Sequence, residues 1–258
     1  MKKIGIALLC VFLAAGIFIS CEKKSETEKF IMGLDDSFPP MGFRNENQEI
    51  VGYDVDLAKE VAKRLGLELV LQPINWAAKE QELNTKQIDC IWNGFTITEE
   101  RKKNVLYTPP YIRNAQVVVV RANSPIKTLA DLAGKSIGTQ GGSSSIEAID
   151  GNPAFKASVK AVIEYDDFLK ALLDLEVGGI DAVVIDLLLA KDNIARFGRD
   201  FRILNEDLGD EEMGIGFRLD DTELRDKVWG ALLEMAEDGT VANISMEWFG
   251  DDISIIGK

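Results

Sequence analysis

Short runs of apolar residues alternate along the chain with stretches in which apolar residues recur every three or four positions. The short runs predict buried strands, and they cover residues 30–34, 68–71, 88–93, 115–121, 135–139, 159–165, 181–185, 201–204 and 213–218. The longer period predicts helices over residues 54–65, 77–84, 166–176, 186–197, 224–235 and 240–248, near Thr98 and after Ser144. This alternation is typical of an α/β fold with mainly parallel sheets. About ten strands and ten helices suit two small sheets, each flanked by helices.

The first 20 residues predict a secretory signal and not a part of the fold. Lys2 and Lys3 precede an uncharged apolar run over 4–19. This run is shorter than the roughly 20 apolar residues that a membrane-spanning helix needs, and a positive segment ahead of such a run is typical of a signal peptide. We therefore expect residues 1–20 to be removed on export.

Cys21 stands at the end of this leader, directly before a polar stretch. A cysteine in that place resembles the processing site of bacterial lipoproteins. Phe18 departs from the pattern, because such signals usually carry an aliphatic residue three positions before the cysteine. The resemblance implies a lipid on Cys21 that holds the protein at a membrane, followed by a polar tether, so that 21–29 precede the fold. A simple signal peptide with an incidental cysteine is the alternative.

The composition excludes several classes of function. The chain has no histidine, so it has no Ser-His-Asp triad, no Cys-His dyad and no imidazole metal ligand. Its three cysteines form no CxxC pair, and Cys90 lies in an apolar run that predicts a place in the core. The formal net charge of −14 argues against nucleic acid as a partner. We expect neither a metal nor a cofactor.

Polar and aromatic residues follow several of the predicted strands. In open parallel sheets ligands bind beyond the carboxyl ends of the strands, so these residues are the candidate site. They are Asp35, Phe38, Asn93, Gly94, Phe95, Thr96, Arg101, Gly142, Ser143, Ser144 and Asp186, with Trp76 as a further aromatic. Together they offer a guanidinium, carboxylates, hydroxyls and a glycine-rich turn, which complement a zwitterion. The turn is not a nucleotide loop, because the Walker lysine and a GxGxxG motif are missing.

Each candidate also has an ordinary structural interpretation. Arg101 taken alone suits a solvated surface charge, and Asp186 at the start of a helix suits an N-cap. Ser144 fits a capping box with the glutamate three positions later. Phe38 and Trp76 suit a hydrophobic core as well as a ligand pocket.

Five segments together resemble the polar amino-acid-binding proteins of bacterial ABC importers. They are GFTITEER at 94–101, DDSFPPM at 35–41, VGYDVDLA at 51–58, LADLAGK at 129–135 and IDAVVID at 180–186. The match covers residues 30–250 in the order that the family has. It implies a two-lobed fold like that of the periplasmic binding proteins.

The resemblance also implies how the lobes are built, which the apolar pattern leaves open. The first lobe would cover 30–115 plus 216–258, and the second would cover 116–215. Two strands would cross between the lobes, near 114–117 and 213–217. Ligand would bind in the cleft, and the lobes would close on it by hinge motion.

For the charged ends of a ligand, the resemblance implies roles on both sides of the cleft. Arg101 would clamp the α-carboxylate, helped by Thr96 and the N–H groups at 143–144. Asp186 would hold the α-ammonium together with the Gly94 carbonyl and the Thr96 hydroxyl.

For the ligand side chain, the resemblance implies a sandwich between Phe38 and Trp76, with Asp35 and Asn93 at its tip. Asn93 departs from the family, which more often has a small residue there. The carboxylate of Asp35 would repel an acidic side chain and suit a cationic or amide one. The expected ligand is therefore a polar or basic L-amino acid.

The resemblance implies an exported monomer that delivers its amino acid to ABC permease subunits and is not an enzyme. It would lie at the outer face of the cytoplasmic membrane through its lipid, or in the periplasm. A dehydratase acting on prephenate-like acids shares the fold, so an enzyme is one alternative. A ligand-sensing surface lipoprotein is the other. Arg101 and Asp186, the two halves of an amino-acid clamp, favour transport.

Overall fold

The computed structural model describes residues 27–258, so the predicted signal peptide and Cys21 lie outside the described residues. Within that range the strands are β1 (Lys29–Leu34), β2 (Ser37–Phe38), β3 (Gly42–Arg44), β4 (Ile50–Val51), β5 (Glu68–Pro73), β6 (Cys90–Ile91), β7 (Leu106–Tyr107), β8 (Ile112–Arg121), β9 (Ser136–Gln140), β10 (Ala161–Tyr165), β11 (Ala182–Asp186), β12 (Phe201–Met213) and β13 (Gly216–Phe217). The α-helices are α1 (Tyr53–Leu65), α2 (Lys79–Asn84), α3 (Ser144–Asp150), α4 (Pro153–Ser158), α5 (Phe168–Val177), α6 (Leu187–Phe197), α7 (Thr222–Glu237) and α8 (Thr240–Phe249). Short 3-10 helices cover Trp76–Ala78, Arg101–Lys103 and Leu129–Leu132.

Two five-stranded sheets with equivalent topologies form the frame of the molecule. The first has the order β5-β1-β6-β13-β7, and the second has the order β10-β9-β11-β8-β12. In each sheet four strands run in one direction, and the fourth strand in the order runs against them. The predicted α/β class with two mainly parallel sheets is therefore confirmed. We call each sheet with its flanking helices the first and the second lobe.

The two lobes are joined by paired strands. The chain passes from β7 in the first sheet to β8 in the second, and it returns from β12 to β13. The strands β8 and β12 pair antiparallel from Ile112 opposite Met213 to Arg121 opposite Phe201, with register shifts between Ile203 and Gly209. The chain therefore changes sheet between residues 107 and 112 and between 213 and 216. The finer lobe boundaries expected from the resemblance stay a prediction.

The helix α1 shows how local sequence determines these elements. Its buried side chains include Val55, Ala58 and Val61, at the spacing of one helix face. Acidic residues lie in its first turn and basic residues in its last, which suits the helix dipole. Gly66 ends the helix with φ of 68°, in the left-handed region that favours glycine.

The strand β12 is much longer than the run 201–204 that its apolar residues predict. It continues to Met213 through a stretch of acidic residues. Because β12 is an edge strand that pairs with β8 alone, much of this stretch faces solvent and carries no apolar signal. No helix within residues 27–258 is both long and apolar enough to cross a membrane.

Candidate functional site

Residues that follow the strands of both sheets line one cavity between the lobes. The cavity is small in this structure, about 10 Å³, and its lining residues are Phe38, Trp76, Gly94, Thr96, Arg101, Gln140, Ser143, Ser144, Phe168 and Asp186. Eight of them are candidates from the sequence. Gln140 and Phe168 are not, although Gln140 directly follows the predicted strand 135–139 and Phe168 lies in the first turn of the predicted helix 166–176.

Arg101 lies at the start of a 3-10 helix, and only 5% of its surface is exposed. Its guanidinium donates to the carbonyl of Thr96 at 2.9 Å and, across the cleft, to that of Gly142 at 3.2 Å. It lies over the ring of Phe95, 4.9 Å from the centroid, and its Nε is 3.5 Å from a carboxylate oxygen of Glu147. A guanidinium has five N–H donors, so these contacts leave it able to meet a carboxylate in the cavity.

The turn before α3 approaches the first lobe closely at Gly142. This glycine has φ of 72°, and a Cβ built on it would lie 2.9 Å from the Cα of Ala77. The N–H of Ser143 donates to the carbonyl of Gln140 at 3.3 Å, so it is engaged within the turn. Ser144 makes no capping box, because the N-cap is Ser143; its hydroxyl donates to the Thr96 hydroxyl at 3.1 Å instead.

Asp186 lies across the cavity from Arg101, at the end of β11, and is 3% exposed. It occupies the N-cap position of α6 but makes no side-chain cap bond; its Oδ1 accepts from the Nδ2 of Asn114 at 2.6 Å. Burial, followed by the negative charge of Glu211, raises the pKa of Asp186 well above its usual range. A cation in the cavity would stabilise its ionised form.

Phe38, Trp76 and Phe168 form the apolar part of the cavity wall, and each of them packs on another ring. Phe38 packs on Phe168 across the cleft, with centroids 6.0 Å apart, and Trp76 meets Phe95 edge to face at 5.7 Å. Gly94 leaves room for this wall, because a Cβ at its position would lie 2.8 Å from a ring carbon of Phe38. The rings come from both lobes, so the apolar wall is complete only when the lobes meet.

Asp35 and Asn93 lie beside the cavity and not among its lining residues. The Oδ2 of Asp35 accepts from the Nε2 of Gln140 in the second lobe at 2.7 Å, and its Oδ1 accepts from the N–H of Ser37 at 2.9 Å. The N–H of Asp35 donates to the Oδ1 of Asn93 at 3.1 Å. Burial raises the pKa of Asp35 to about 6. These two residues hold the ligand loop and the interlobe contact.

Two buried charged residues that the sequence did not single out support the site. Asp54 accepts from the N–H of Gly94 at 2.7 Å and from the hydroxyl of Tyr111 at 2.8 Å, and burial raises its pKa to about 7. Lys79 donates to the carbonyl of Gly142 at 2.8 Å. Burial, and then the charge of Arg101, lower the pKa of Lys79 to about 7. Neither residue has a local sequence signal beyond a place at a helix start.

Within the described part of the chain, no group of three or more acidic or cysteine side chains is placed to hold a metal ion. The cavity offers a buried guanidinium and a buried carboxyl group, together with hydroxyl oxygens and aromatic rings. Such a set matches a zwitterion with a side chain that packs on rings.

Comparisons with known proteins agree with this chemistry. The model of the bacterial extracellular solute-binding proteins, family 3, matches residues 30–251. The L-cystine-binding protein TcyJ of Escherichia coli (strain K12) is 32% identical, and the match covers 96% of both chains. Among solved structures, Tv2483 bound to L-arginine is 37% identical with a TM-score of 0.85, covering 89% of this chain and 94% of that one. A substrate-binding protein of an ABC uptake transporter from Streptococcus pneumoniae, with bound histidine, is 36% identical with a TM-score of 0.86, covering 88% and 94%.

Proposed function

Because the chain belongs to the bacterial extracellular solute-binding proteins of family 3, we propose that it captures a polar or basic L-amino acid and delivers it to an ABC permease. The observation that carries the proposal is the pair Arg101 and Asp186. These opposite charges are both buried, come from different lobes and line the same cavity. A zwitterion is the ligand that satisfies both.

The ligand lies with its α-carboxylate on Arg101 and its α-ammonium between Asp186 and the hydroxyl of Thr96. The rings of Phe38 and Trp76 cover its side chain. Charge-assisted hydrogen bonds contribute roughly 1.5–3 kcal/mol each. Four or five of them, less the cost of ordering, reach about −8 kcal/mol, which corresponds to micromolar affinity.

Binding is coupled to closure of the lobes, because the site takes its groups from both of them. The lobes move about the two connections that lead into β8 and out of β12, between residues 107 and 112 and between 213 and 216. Ligand shifts the population towards the closed form. The permease then recognises the closed form by binding the outer faces of both lobes.

The favoured ligands are L-amino acids with cationic or amide side chains. The proteins compared above are described with cystine, arginine and histidine, which all combine a zwitterion with a polar side chain. The carboxylate of Asp35 lies beside the cavity, where its Oδ2 is 2.7 Å from the Nε2 of Gln140. It disfavours a second anion there.

The protein is exported as a monomer and anchored by a lipid on Cys21. The apolar leader over 4–19 and the cysteine that follows it support this anchoring. Replacing Cys21 with serine should move the protein from the membrane fraction to the soluble fraction after cell breakage. The dehydratase and sensor alternatives have no support among the relatives, which are named for substrate binding.

A thermal-shift panel of L-amino acids, including cystine, tests the proposal on the protein beginning at Glu22. Ligand at about a thousand times its Kd adds about 4 kcal/mol to the free energy of unfolding, which raises Tm on the order of 10 °C. Calorimetry on each hit then measures Kd, with deaminated analogues as the control. A panel without any shift would refute amino-acid binding and redirect the search to prephenate-like acids.

A further inference from the structure

Glu211 lies on β12, and its carboxylate contacts one side chain that lines the cavity and two that line the open groove next to it. Its Oε2 accepts from the hydroxyl of Thr96 at 3.1 Å, from the Nδ2 of Asn114 at 3.1 Å and from the Nε2 of Gln116 at 3.0 Å. Thr96 belongs to the ligand loop of the first lobe, whereas Asn114 and Gln116 lie on β8. One carboxylate oxygen on β12 therefore links the loop that carries Thr96 to β8.

The contact with Glu211 determines the direction of the O–H bond of Thr96. A hydroxyl has one proton and two lone pairs, and an ionised carboxylate only accepts, so the proton of Thr96 is committed to Glu211. The hydroxyl of Ser144 donates to the Thr96 oxygen at 3.1 Å and uses one lone pair. Because Thr96 lines the cavity, its remaining lone pair can accept from a donor on the ligand.

Glu211 also brings a second negative charge close to Asp186. The Nδ2 of Asn114 donates to both carboxylates, at 2.6 Å to Asp186 and at 3.1 Å to Glu211. The charge of Glu211 opposes ionisation of Asp186, whereas Arg101, on the other side of the cavity, favours it. The neutral amides of Asn114 and Gln116 also favour the ionised form.

We propose that Glu211 is a positioning residue for the ammonium half of the site and that it restricts ligands to those with a cationic nitrogen beside Asp186. It acts without touching the ligand. It orients the hydroxyl of Thr96 as an acceptor, and it adds its charge to that of Asp186. An ammonium balances this pair, whereas a deaminated analogue leaves two neighbouring carboxylates uncompensated. The inference rests on the proposed amino-acid binding and assigns a further residue to it.

The test compares Glu211→Gln with the wild type by calorimetry. The probes are L-arginine, or the amino acid that raises Tm most in the panel, and its deaminated analogue measured by competition. We expect affinity for the amino acid to fall about tenfold, as for the loss of one charge-assisted hydrogen bond. Affinity for the analogue should stay unchanged or rise, so that discrimination between the two shrinks.

The matched control is Glu212→Gln. Glu212 is the next residue on β12, carries the same charge and lies 3.7 Å from the exposed Arg113. It makes no contact with Thr96 among the hydrogen bonds of the described residues. The control should bind both probes as the wild type does; an equal loss in both variants would reduce the effect to net charge and overturn the proposal.

The pH profile separates positioning from a merely structural role. Asp186 must be ionised to bind an ammonium, so affinity falls as pH drops through its pKa. Removing the charge of Glu211 lowers that pKa, so Glu211→Gln should lose affinity at a lower pH than the wild type does. A site that is only loosened would lose affinity at every pH with the midpoint unchanged, and that result would overturn the proposal.

A double-mutant cycle with Thr96→Val tests the route through the hydroxyl. If Glu211 acts through Thr96, the effects of the two substitutions are not additive. Should Glu211→Gln not fold, Glu211→Asp keeps the charge but withdraws the carboxylate from Thr96 by one methylene, and a smaller loss of discrimination is expected. If the wild type binds an amino acid and the Glu211 variants bind both probes with the same affinities, the role of Glu211 is refuted and the proposed function stands. If the wild type binds no amino acid, the proposed function falls with it.

Discussion

Removing the amide of Gln140 tests whether closure of the lobes is coupled to ligand binding. In the structure the Nε2 of Gln140 donates to the Oδ2 of Asp35 at 2.7 Å and to the carbonyl of Asp166 at 3.1 Å. Asp35 follows β1 in the first lobe, and Gln140 ends β9 in the second. The bond to Asp35 therefore forms only when the lobes meet, and Gln140→Ala should disfavour the closed form.

The size of the effect follows from the charge of the acceptor. A hydrogen bond to a charged group is worth about 1.5–3 kcal/mol, and Asp35 is 8% exposed, so little water can replace the lost donor. Apparent affinity falls in proportion to the fraction of protein that can close. We therefore expect Gln140→Ala to weaken amino-acid binding by roughly 10- to 150-fold at pH 8.

The deficit should shrink in acid. Burial raises the pKa of Asp35 to about 6, and the bond from Gln140 lowers it, so the pKa is higher still in the variant. A raised carboxyl pKa means that proton uptake favours the closed form as pH falls through about 6. Below that pH the acceptor is neutral, and the lost bond is worth only about 0.5–1.5 kcal/mol.

The assay is calorimetry of the best amino acid at pH 8 and pH 5, with the exposed Gln81→Ala as control. The Tm of the ligand-free protein is measured alongside. If Gln140→Ala lowers that Tm but leaves Kd unchanged, the contact belongs to the resting fold and not to ligand-coupled closure. A deficit that is equal at both pH values would refute the role assigned to the charge of Asp35.

Three further substitutions test single contacts. Arg101→Ala should weaken amino-acid binding at least about tenfold, and an unchanged Kd would remove the carboxylate assignment. Asp186→Asn should weaken amino acids but spare deaminated analogues, whereas equal losses would contradict the ammonium role. The guanidinium of Arg196 lies over the ring of Phe43 in the first lobe, 4.9 Å from its centroid. Arg196→Ala should therefore weaken amino-acid binding about two- to fivefold, and Lys191→Ala, at an exposed position, is the control. Equal Kd values in the two variants would show that this contact does not help closure.

Most elements of the fold could be predicted because their signals are local. The four consecutive valines of β8 and the helical spacing of Val55, Ala58 and Val61 in α1 follow directly from strand and helix geometry. The acidic half of β12 could not be predicted in this way. It is a strand because β8 offers it backbone partners, and most of its polar side chains face water at the sheet edge.

The candidate site was partly predictable for the same reason. Ligands bind beyond the carboxyl ends of parallel strands, so reading the residue after each strand found Arg101, Thr96 and Asp186. Lys79 escaped this reading, because a lysine in a short amphipathic helix is expected in solvent. Contact with the turn at Gly142 buries it to 4% exposure.

The sequence by itself determined the α/β class, the lining chemistry of a zwitterion site and the resemblance to a family of amino-acid receptors. Only the tertiary structure decided which groups act together. Gln140 bonds to Asp35 from 105 positions away, and Glu211 bonds to Thr96 from 115 positions away. No backbone periodicity connects residues so far apart. They meet because the two lobes pack against each other across one cleft, and this packing involves residues from the whole chain.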